Sequence, residues 1–266
     1  MFNDTPAQKY ISATGCHELQ SAILWVKSII QYIKSSLNMY AATHDDRSAQ
    51  LQLEECLKVI AHRQSKGLGH TDCIEHYHKT SDEYDKVSNI VDYQAPVELA
   101  RTMADLFPDG RDKVKVLDAA AGTGLVGVEL FKVGFKNLDA VDAAEGMLAV
   151  AESKHIYQRL ICQYLGENKL GIDSRIYDAV TMCGGVGHNA VPAAGFKELL
   201  TIIKPGGVFV NATRVENASE IDEYRDTTLP LFEKLAEEGK LKLETERRFP
   251  VYLHGKEGVI SVYSVL

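Results

Sequence analysis

The sequence predicts an α/β protein: a doubly wound sheet of seven strands that closes with a C-terminal antiparallel hairpin, preceded by an N-terminal helical extension. Three observations predict this class. From about Lys113 onward, short apolar segments alternate with amphipathic helical segments, which is typical of βαβ units and a parallel sheet. Residues up to about Tyr93 are polar and helical, without strand alternation. Two apolar runs, 241–253 and 258–266, flank a turn and predict the final hairpin.

The composition is that of a globular protein with a sizeable core. The chain has 266 residues, a formal net charge of −8 and 45% hydrophobic residues. Lysine and arginine form no cluster, so we expect no nucleic-acid partner, because phosphate neutralisation needs a basic face. The five cysteines are scattered and odd in number, which favours reduced thiols and a cytoplasmic, or else nuclear, location. The most apolar segment, 22–30, is interrupted by Lys27 and too short to span a bilayer, so no membrane partner is expected.

We divide the chain into a helical extension, residues 1–70, and a main domain, residues 71–266, that includes an N-terminal cap helix. In the extension, apolar residues recur at helical spacing over 23–40, and a shorter stripe follows over 53–60. We interpret them as a helical hairpin whose stripes pack on each other or on the main domain. The alternative is dimerisation through these N-terminal helices. The cap helix is predicted over 73–91.

The elements of the main domain follow from apolar runs and from stop signals. The helix before the fifth strand ends at Lys204-Pro-Gly-Gly207, which favours termination. Pro230 predicts a kink in the long helix that follows, and Pro250 predicts a bulge or an edge position in the sixth strand. The predicted order is strand 113–118, helix 124–133, strand 138–142, helix 145–154, strands 160–165 and 177–182, helix 194–203, strand 208–213, helix 220–238, and the two strands of the hairpin.

The turn after the first strand carries Gly122-Thr-Gly124-Leu-Val-Gly127, and Asp142 lies 20 residues beyond Gly122. A G-x-G-x-x-G pattern with this spacing is the dinucleotide-binding fingerprint. Asp118, at the end of the first strand, argues against a dinucleotide, because a fixed carboxylate there repels a pyrophosphate. It would attract the cationic end of S-adenosylmethionine. The sequence therefore favours a methyl donor over a nicotinamide cofactor.

Four segments stand in a fixed order along the chain: Asp118-Ala-Ala-Ala-Gly-Thr-Gly124, Val141-Asp142 with Glu145-Gly-Met-Leu148, Tyr177-Asp178-Ala-Val180, and Lys204-Pro-Gly-Gly207. In that order they resemble the motifs of the class I S-adenosylmethionine-dependent methyltransferases, a Rossmann-like family. Ala120 stands where the family usually has glycine. Further segments, Tyr84-Asp85, Asp92-Tyr-Gln-Ala-Pro96 and Tyr157-Gln-Arg-Leu160, are similar to the Williams–Beuren-region methyltransferase-like proteins. The resemblance implies S-adenosyl-L-methionine as cofactor and leaves the methyl acceptor open.

The resemblance implies roles at the glycine turn and at the second strand. Gly122 and Gly124 let the backbone approach the cofactor, with Ala120 at the tightest point, and begin a helix whose N-terminus suits a carboxylate. Asp118 would orient the ammonium group, with helix capping as the alternative. Asp142 would accept both ribose hydroxyls.

Further cofactor contacts are expected from three other places. Ala143 and Met147 would line the adenine, with a core position as the alternative for Met147. Tyr164 occupies a position that is acidic in many relatives, so we assign the adenine amine to the backbone around Leu165. Cys183 opens the turn after the fourth strand, which should lie beside the transferable methyl.

Two residues are predicted on the acceptor side. His188, in that same turn, is the best-placed titratable side chain, with a surface loop histidine as the alternative. Tyr84, on the cap helix, would close the pocket, with a packing tyrosine as the alternative. We assign no catalytic base, because an in-line displacement depends first on alignment. No metal is expected, although four potential ligands lie within nine residues: His70, Cys73, His76 and His78.

These inferences predict a methyltransferase whose acceptor is a small molecule, with a protein side chain as the alternative acceptor. Two alternatives from other functional classes also stay open. One is a non-catalytic module that binds S-adenosylmethionine and docks partners through the 23–40 stripe. The other is an NAD-dependent oxidoreductase, which the bare G-x-G-x-x-G supports.

Overall fold

The computed structural model describes residue 56 and residues 69–166, 170–188, 190–253 and 255–266. The predicted helical hairpin and the alternative dimer seam, over 23–40 and 53–60, lie outside the described residues except for Cys56. The division into an extension and a main domain therefore stays a prediction. Within the described ranges, no helix is long and apolar enough to cross a bilayer.

One mixed sheet organises the protein. Its strands are β1 Lys115–Ala119, β2 Asn137–Asp142, β3 Arg159–Cys162, β4 Tyr177–Cys183, β5 Ile203–Arg214, β6 Leu241–Leu253 and β7 Lys256–Val265. They lie in the order β3-β2-β1-β4-β5-β7-β6. The first five are parallel, whereas β7 runs antiparallel to both β5 and β6. This confirms the predicted seven-stranded sheet with a C-terminal antiparallel hairpin.

Helices cover both faces of the sheet. They are α1 His70–Lys79, α2 Ser81–Ile90, α3 Ala95–Leu106, α4 Leu125–Lys132, α5 Glu145–Ser153, α6 Ala193–Ile202, α7 Asn217–Glu220 and α8 Leu229–Glu237. Successive strand residues point to opposite faces. Leu117 and Val180 accordingly belong to the core that contains α6 and α8. Val116 and Ala179 belong to the core that contains α3 and α4. Burial on both faces explains why the strands are almost continuously apolar.

The prediction of a single cap helix over 73–91 is wrong, because the helical structure is interrupted at Thr80, which separates α1 from α2. The hydroxyl of Thr80 donates to the carbonyl of His76 at 2.9 Å. The hydroxyl of Ser81 donates to the carbonyl of His78 at 3.0 Å. Such side-chain bonds compete with the helical backbone pattern and favour its interruption.

The predicted helix over 220–238 is also divided. A five-residue π-helical turn, Tyr224–Thr228, precedes α8. Pro230 lies in the first turn of α8, directly after this π-helical turn. A proline has no N–H to donate to the preceding turn, which favours a change of helical winding at this point. The kink itself stays a prediction.

Strand boundaries differ from the prediction by three or more residues in two places. Helix α6 ends before Lys204 as expected, but β5 begins directly at Ile203 and includes the Lys204-Pro-Gly-Gly207 segment. Strand β3 ends at Cys162 rather than at residue 165. The interpretation of Pro250 is confirmed, since β6 is an edge strand whose register shifts between Phe249 and Leu253.

Candidate functional site

A cavity of about 230 Å³ opens at the point where the strand order reverses between β1 and β4. Ligands of open α/β sheets bind at such a point, beyond the carboxyl ends of the strands. The loops after β1, β2 and β3 form one half of the cavity, which we call the β1–β3 half. The ends of β4, β5 and β6 form the other half, the β4–β6 half, and residues of helices α1 and α2 also line the cavity.

Most of the predicted site residues meet in this cavity. Those that line it are Tyr84, Ala120, Gly122, Asp142, Ala143, Met147, Leu165, Cys183 and His188. Asp118 and Gly124 are not among the lining residues. The cofactor and acceptor roles of all these side chains remain predictions.

Asp142 anchors the β1–β3 half. Its Oδ2 accepts the N–H of Gly122 at 2.8 Å, and its Oδ1 accepts the N–H of Ala144 at 2.9 Å. A carboxylate offers about four acceptor positions, so each oxygen can accept one further hydrogen bond. Burial raises the pKa of Asp142. Gly122, with φ of 55°, has open space where a Cβ would stand, so a ligand can approach the backbone there.

Ala120 shows why its motif position is usually a glycine. Its φ is 52°, in the left-handed region, where an L-residue with a Cβ is disfavoured by about 1 kcal/mol. The main cost of alanine in place of glycine is therefore backbone strain. Ala120 still lines the cavity, despite its methyl group.

Asp118 is 1% exposed, and each of its carboxylate oxygens accepts a hydrogen bond inside the protein. Its Oδ2 accepts the hydroxyl of Tyr157 at 2.6 Å, and its Oδ1 accepts the hydroxyl of Thr181 at 3.2 Å. Burial raises its pKa to about 7, although the bonds from Tyr157 and Thr181 favour the charged form. The contact between Asp118 and the cofactor ammonium group stays a prediction.

Tyr157 is a site-supporting residue to which the sequence analysis assigned no role. A Cβ at Gly127 would lie 2.1 Å from the Tyr157 Oη, and a Cβ at Gly124 would lie 2.9 Å from its Cε2. Two glycines of the apparent dinucleotide fingerprint thus make room for the ring whose hydroxyl reaches Asp118. No local spacing signals this packing, because Tyr157 lies in the connection between α5 and β3.

Three neutral side chains form the wall beside the β4 turn. The Tyr93 Oη lies 3.1 Å from the Cys183 Sγ and 3.4 Å from the Tyr252 Oη. The Tyr93 and Tyr252 rings meet edge to face, with centroids 5.4 Å apart. Burial raises the pKa of Cys183 to about 12 and raises the pKa of both tyrosines, so all three groups are protonated at neutral pH. The sequence analysis missed both tyrosines as site residues.

Helices α1 and α2 are tied to the β1–β3 half by polar contacts. The Lys154 Nζ lies 2.6 Å from the Asp85 Oδ2. The His78 Nδ1 accepts the N–H of Gly146, in the first turn of α5, at 3.0 Å. Tyr84 lies on α2, beside Asp85, and lines the cavity. Its predicted role in closing the pocket is compatible with this position.

Two polar residues of the β4–β6 half were missed as well. Arg214 ends β5 and Asn217 begins α7; both are buried, and both line the cavity. The position of Arg214 at the carboxyl end of a predicted parallel strand was the available signal. As for metals, no three suitable side chains among the described residues, including Cys73, His76 and His78, come together to hold an ion.

Comparison with known proteins shows that the chain is similar to methyltransferases. The methyltransferase domain family matches residues 116–207, which contain all four motifs. Human methyltransferase-like protein 27 is 31% identical over 166 residues, 62% of this chain and 66% of that protein. The chain thus spans just under two thirds of that relative's length. Demethylmenaquinone methyltransferase of Corynebacterium efficiens is 30% identical over 174 residues, 65% of this chain and 68% of that protein.

A solved structure shares the fold. The TehB-like SAM-dependent methyltransferase of Corynebacterium glutamicum superposes with a TM-score of 0.52 at 16% identity, over 72% of this chain and 99% of that one. At this identity the likeness concerns the fold. It agrees with the doubly wound sheet described above.

Proposed function

The chain belongs to the class I S-adenosylmethionine-dependent methyltransferases, and from this premise we propose that it transfers a methyl group from S-adenosyl-L-methionine to a small-molecule acceptor. The observation that carries the proposal is the position of Asp142. Its carboxylate ends β2, faces the cavity and is held by the N–H groups of Gly122 and Ala144 with acceptor capacity to spare.

The residues of the β1–β3 half fit the cofactor. When bound, S-adenosylmethionine supplies an electrophilic methyl group on a sulfonium. Asp142 would bind the ribose hydroxyls, and the open face of Gly122 would admit the methionine part. Ala143, Met147 and the backbone near Leu165 would enclose the adenine. Asp118 would interact with the ammonium group of the cofactor, either through a water molecule or after the Tyr157 hydroxyl has moved.

The residues of the β4–β6 half would position the acceptor. Cys183, with its pKa near 12, and its two neighbouring tyrosines hold their protons at neutral pH and cannot serve as bases. Their contribution would be shape, hydrogen-bond donation and exclusion of water. For an acceptor that arrives protonated, His188 is the lining side chain suited to take the proton.

Two observations favour a small acceptor over a protein. The cavity has a volume of about 230 Å³ and residues of α1 and α2 contribute to its wall, which suits a small molecule better than a polypeptide segment. One relative is named for demethylmenaquinone, a small molecule. We further propose a cytoplasmic or nuclear location, since the five cysteines of the chain are scattered and odd in number.

The two alternatives differ in their support. The oxidoreductase alternative rested on the G-x-G-x-x-G pattern. The ring of Tyr157 packs against Gly127, so the last glycine of the pattern is explained without a dinucleotide. A non-catalytic module that binds the cofactor would share the whole β1–β3 half. It is distinguished by turnover alone.

The test is calorimetric titration with S-adenosylhomocysteine and, separately, with NADH. We expect micromolar binding of the former to the wild type, weakened on the order of 100-fold by Asp142→Ala through loss of two charge-assisted hydrogen bonds. Asp105→Ala, an exposed position, is the matched control. Binding of NADH alone would reverse the cofactor assignment. Cofactor binding with no methylated product from a metabolite extract, followed by mass spectrometry, would favour the non-catalytic module.

A further inference from the structure

The β4–β6 half of the cavity contains a buried cation, Arg214, whose guanidinium donates no hydrogen bond to the residues that the structure describes. Arg214 is 9% exposed and lines the cavity. Its contact with another described charged residue is an ion pair of 3.7 Å between Nη1 and the Glu216 Oε1, beyond hydrogen-bond distance. A guanidinium has five N–H donors, and buried ones are normally paired. Arg214 therefore holds donors that a ligand in the cavity can use.

The charges around Arg214 leave an excess positive charge. The same Glu216 Oε1 lies 3.3 Å from the Lys256 Nζ, so one carboxylate is shared between two cations. Glu216 and Lys256 do not line the cavity, whereas Arg214 does. A ligand in this half therefore meets the cation of the cluster and not its carboxylate.

The other charge of the cavity lies far from Arg214. Among the described lining residues, Asp142 is the one carboxylate, and it ends β2. The strand order places three inter-strand spacings between β2 and β5, about 14 Å. An anion beside Arg214 is therefore not repelled at short range by Asp142. The two ends of the cavity suit different groups: hydroxyls at Asp142 and an anion at Arg214.

The wall next to Arg214 suits a ring. The rings of Tyr93 and Tyr252 meet edge to face, and both residues line the cavity together with Cys183. Leu253, the next residue along β6, also lines it. Aromatic side chains prefer to pack against other rings or flat unsaturated groups. A planar body against the tyrosines would place a substituent within reach of the guanidinium at the end of β5.

We propose that the methyl acceptor is a carboxylic acid with a planar, ring-containing body, and that Arg214 binds its carboxylate. The inference rests on the proposed function, since it assigns the β4–β6 half to the acceptor. A guanidinium and a carboxylate form two parallel N–H···O bonds, which fix the orientation of the bound molecule as well as its charge. The same chemistry is present in the methionine carboxylate of the cofactor, so the test must separate the two.

The test uses the protein saturated with S-adenosylhomocysteine and three acid–amide pairs: benzoate, 4-hydroxybenzoate and cinnamate, each with its primary amide. Calorimetric affinities are measured for the wild type, Arg214→Gln, Arg214→Lys and Arg248→Gln. Arg248 is exposed on β6 and is the matched control. Thermal melts of each variant verify that it is folded.

We expect at least one acid to bind the wild type and Arg248→Gln tenfold or more tightly than its amide. Arg214→Gln should abolish this preference, Arg214→Lys should restore part of it, and the Kd for S-adenosylhomocysteine should stay unchanged in both. Equal affinity for acid and amide in every pair, or no binding of any acid, would overturn the proposal. Loss of S-adenosylhomocysteine affinity in Arg214→Gln would also overturn it, because Arg214 would then serve the cofactor. Failure of the wild type to bind S-adenosylhomocysteine is read before any acid is added and would overturn the proposed function together with this inference.

Discussion

Replacing Asp118 with asparagine should remove a pH dependence that this carboxyl group imposes on folding. Asp118 is 1% exposed, and burial raises its pKa from 3.8 to about 7. Because the native pKa lies above that of the unfolded chain, the native state favours the protonated carboxyl. Its stabilising contribution is fully present below about pH 4 and is lost as the pH rises to about 7.

The magnitude follows from the size of the shift. A change of about three pKa units, at about 1.4 kcal/mol each, corresponds to roughly 4 kcal/mol of unfolding free energy between the two limits. Asparagine has the size of aspartate and cannot ionise. It can still accept a hydroxyl at Oδ1 and donate from Nδ2 to the other, so the contacts with Tyr157 and Thr181 persist in altered form.

The assay is urea unfolding followed by far-ultraviolet circular dichroism at intervals from pH 4 to pH 8. The unfolding free energy of Asp118→Asn minus that of the wild type should rise with pH by roughly 4 kcal/mol and level off above pH 7. Asp105→Asn, at an exposed position, should give a flat difference. A flat difference for Asp118→Asn would refute the reasoning. A falling one would mean that the Tyr157 and Thr181 hydroxyls outweigh burial and hold the carboxylate charged.

Two substitutions test the glycine turn by the same urea assay at pH 7. Gly127→Ala gains about 1 kcal/mol of helix propensity but puts a Cβ 2.1 Å from the Tyr157 Oη, so the ring must move. We expect the unfolding free energy to fall by about 2 kcal/mol in total. An increase would contradict the packing described for Tyr157. Ala120→Gly should increase the unfolding free energy by about 1 kcal/mol, because φ of 52° suits glycine. A decrease would mean that the methyl group of Ala120 contributes more by packing than its backbone conformation costs.

The fold was predictable because its signals are local and periodic. Buried strands are short apolar runs, and the connections from β1 to β2, from β2 to β3 and from β4 to β5 each contain one helix. The break at Thr80 escaped prediction because its cause is a pair of hydroxyl-to-carbonyl bonds that leave the apolar periodicity intact. The π-helical turn before Pro230 likewise changes the winding of the chain without changing the pattern of residues.

The site was predictable where motif residues stand at the carboxyl ends of parallel strands. Gly122 follows β1 and Asp142 ends β2, and these two strands pair. Arg214 ends β5 and so offered the same kind of signal. Tyr252 reaches the cavity through strand pairing in the hairpin, and Tyr157 supports the glycine turn from the connection between α5 and β3. The contacts of these two tyrosines depend on tertiary structure, and no spacing in the chain encodes them.

The position of β7 between β5 and β6 bears on the order in which we expect the cavity to be assembled during folding. The β1–β3 half comes from a continuous stretch, 115–165, whose contacts close short loops. The β4–β6 half needs Tyr252, whose hairpin joins the sheet by the pairing of β7 with β5. Contacts between residues far apart in sequence are slow to form. We therefore expect a folding chain to acquire the β1–β3 half of its cavity before the surface that contains Arg214 and Tyr252 is complete.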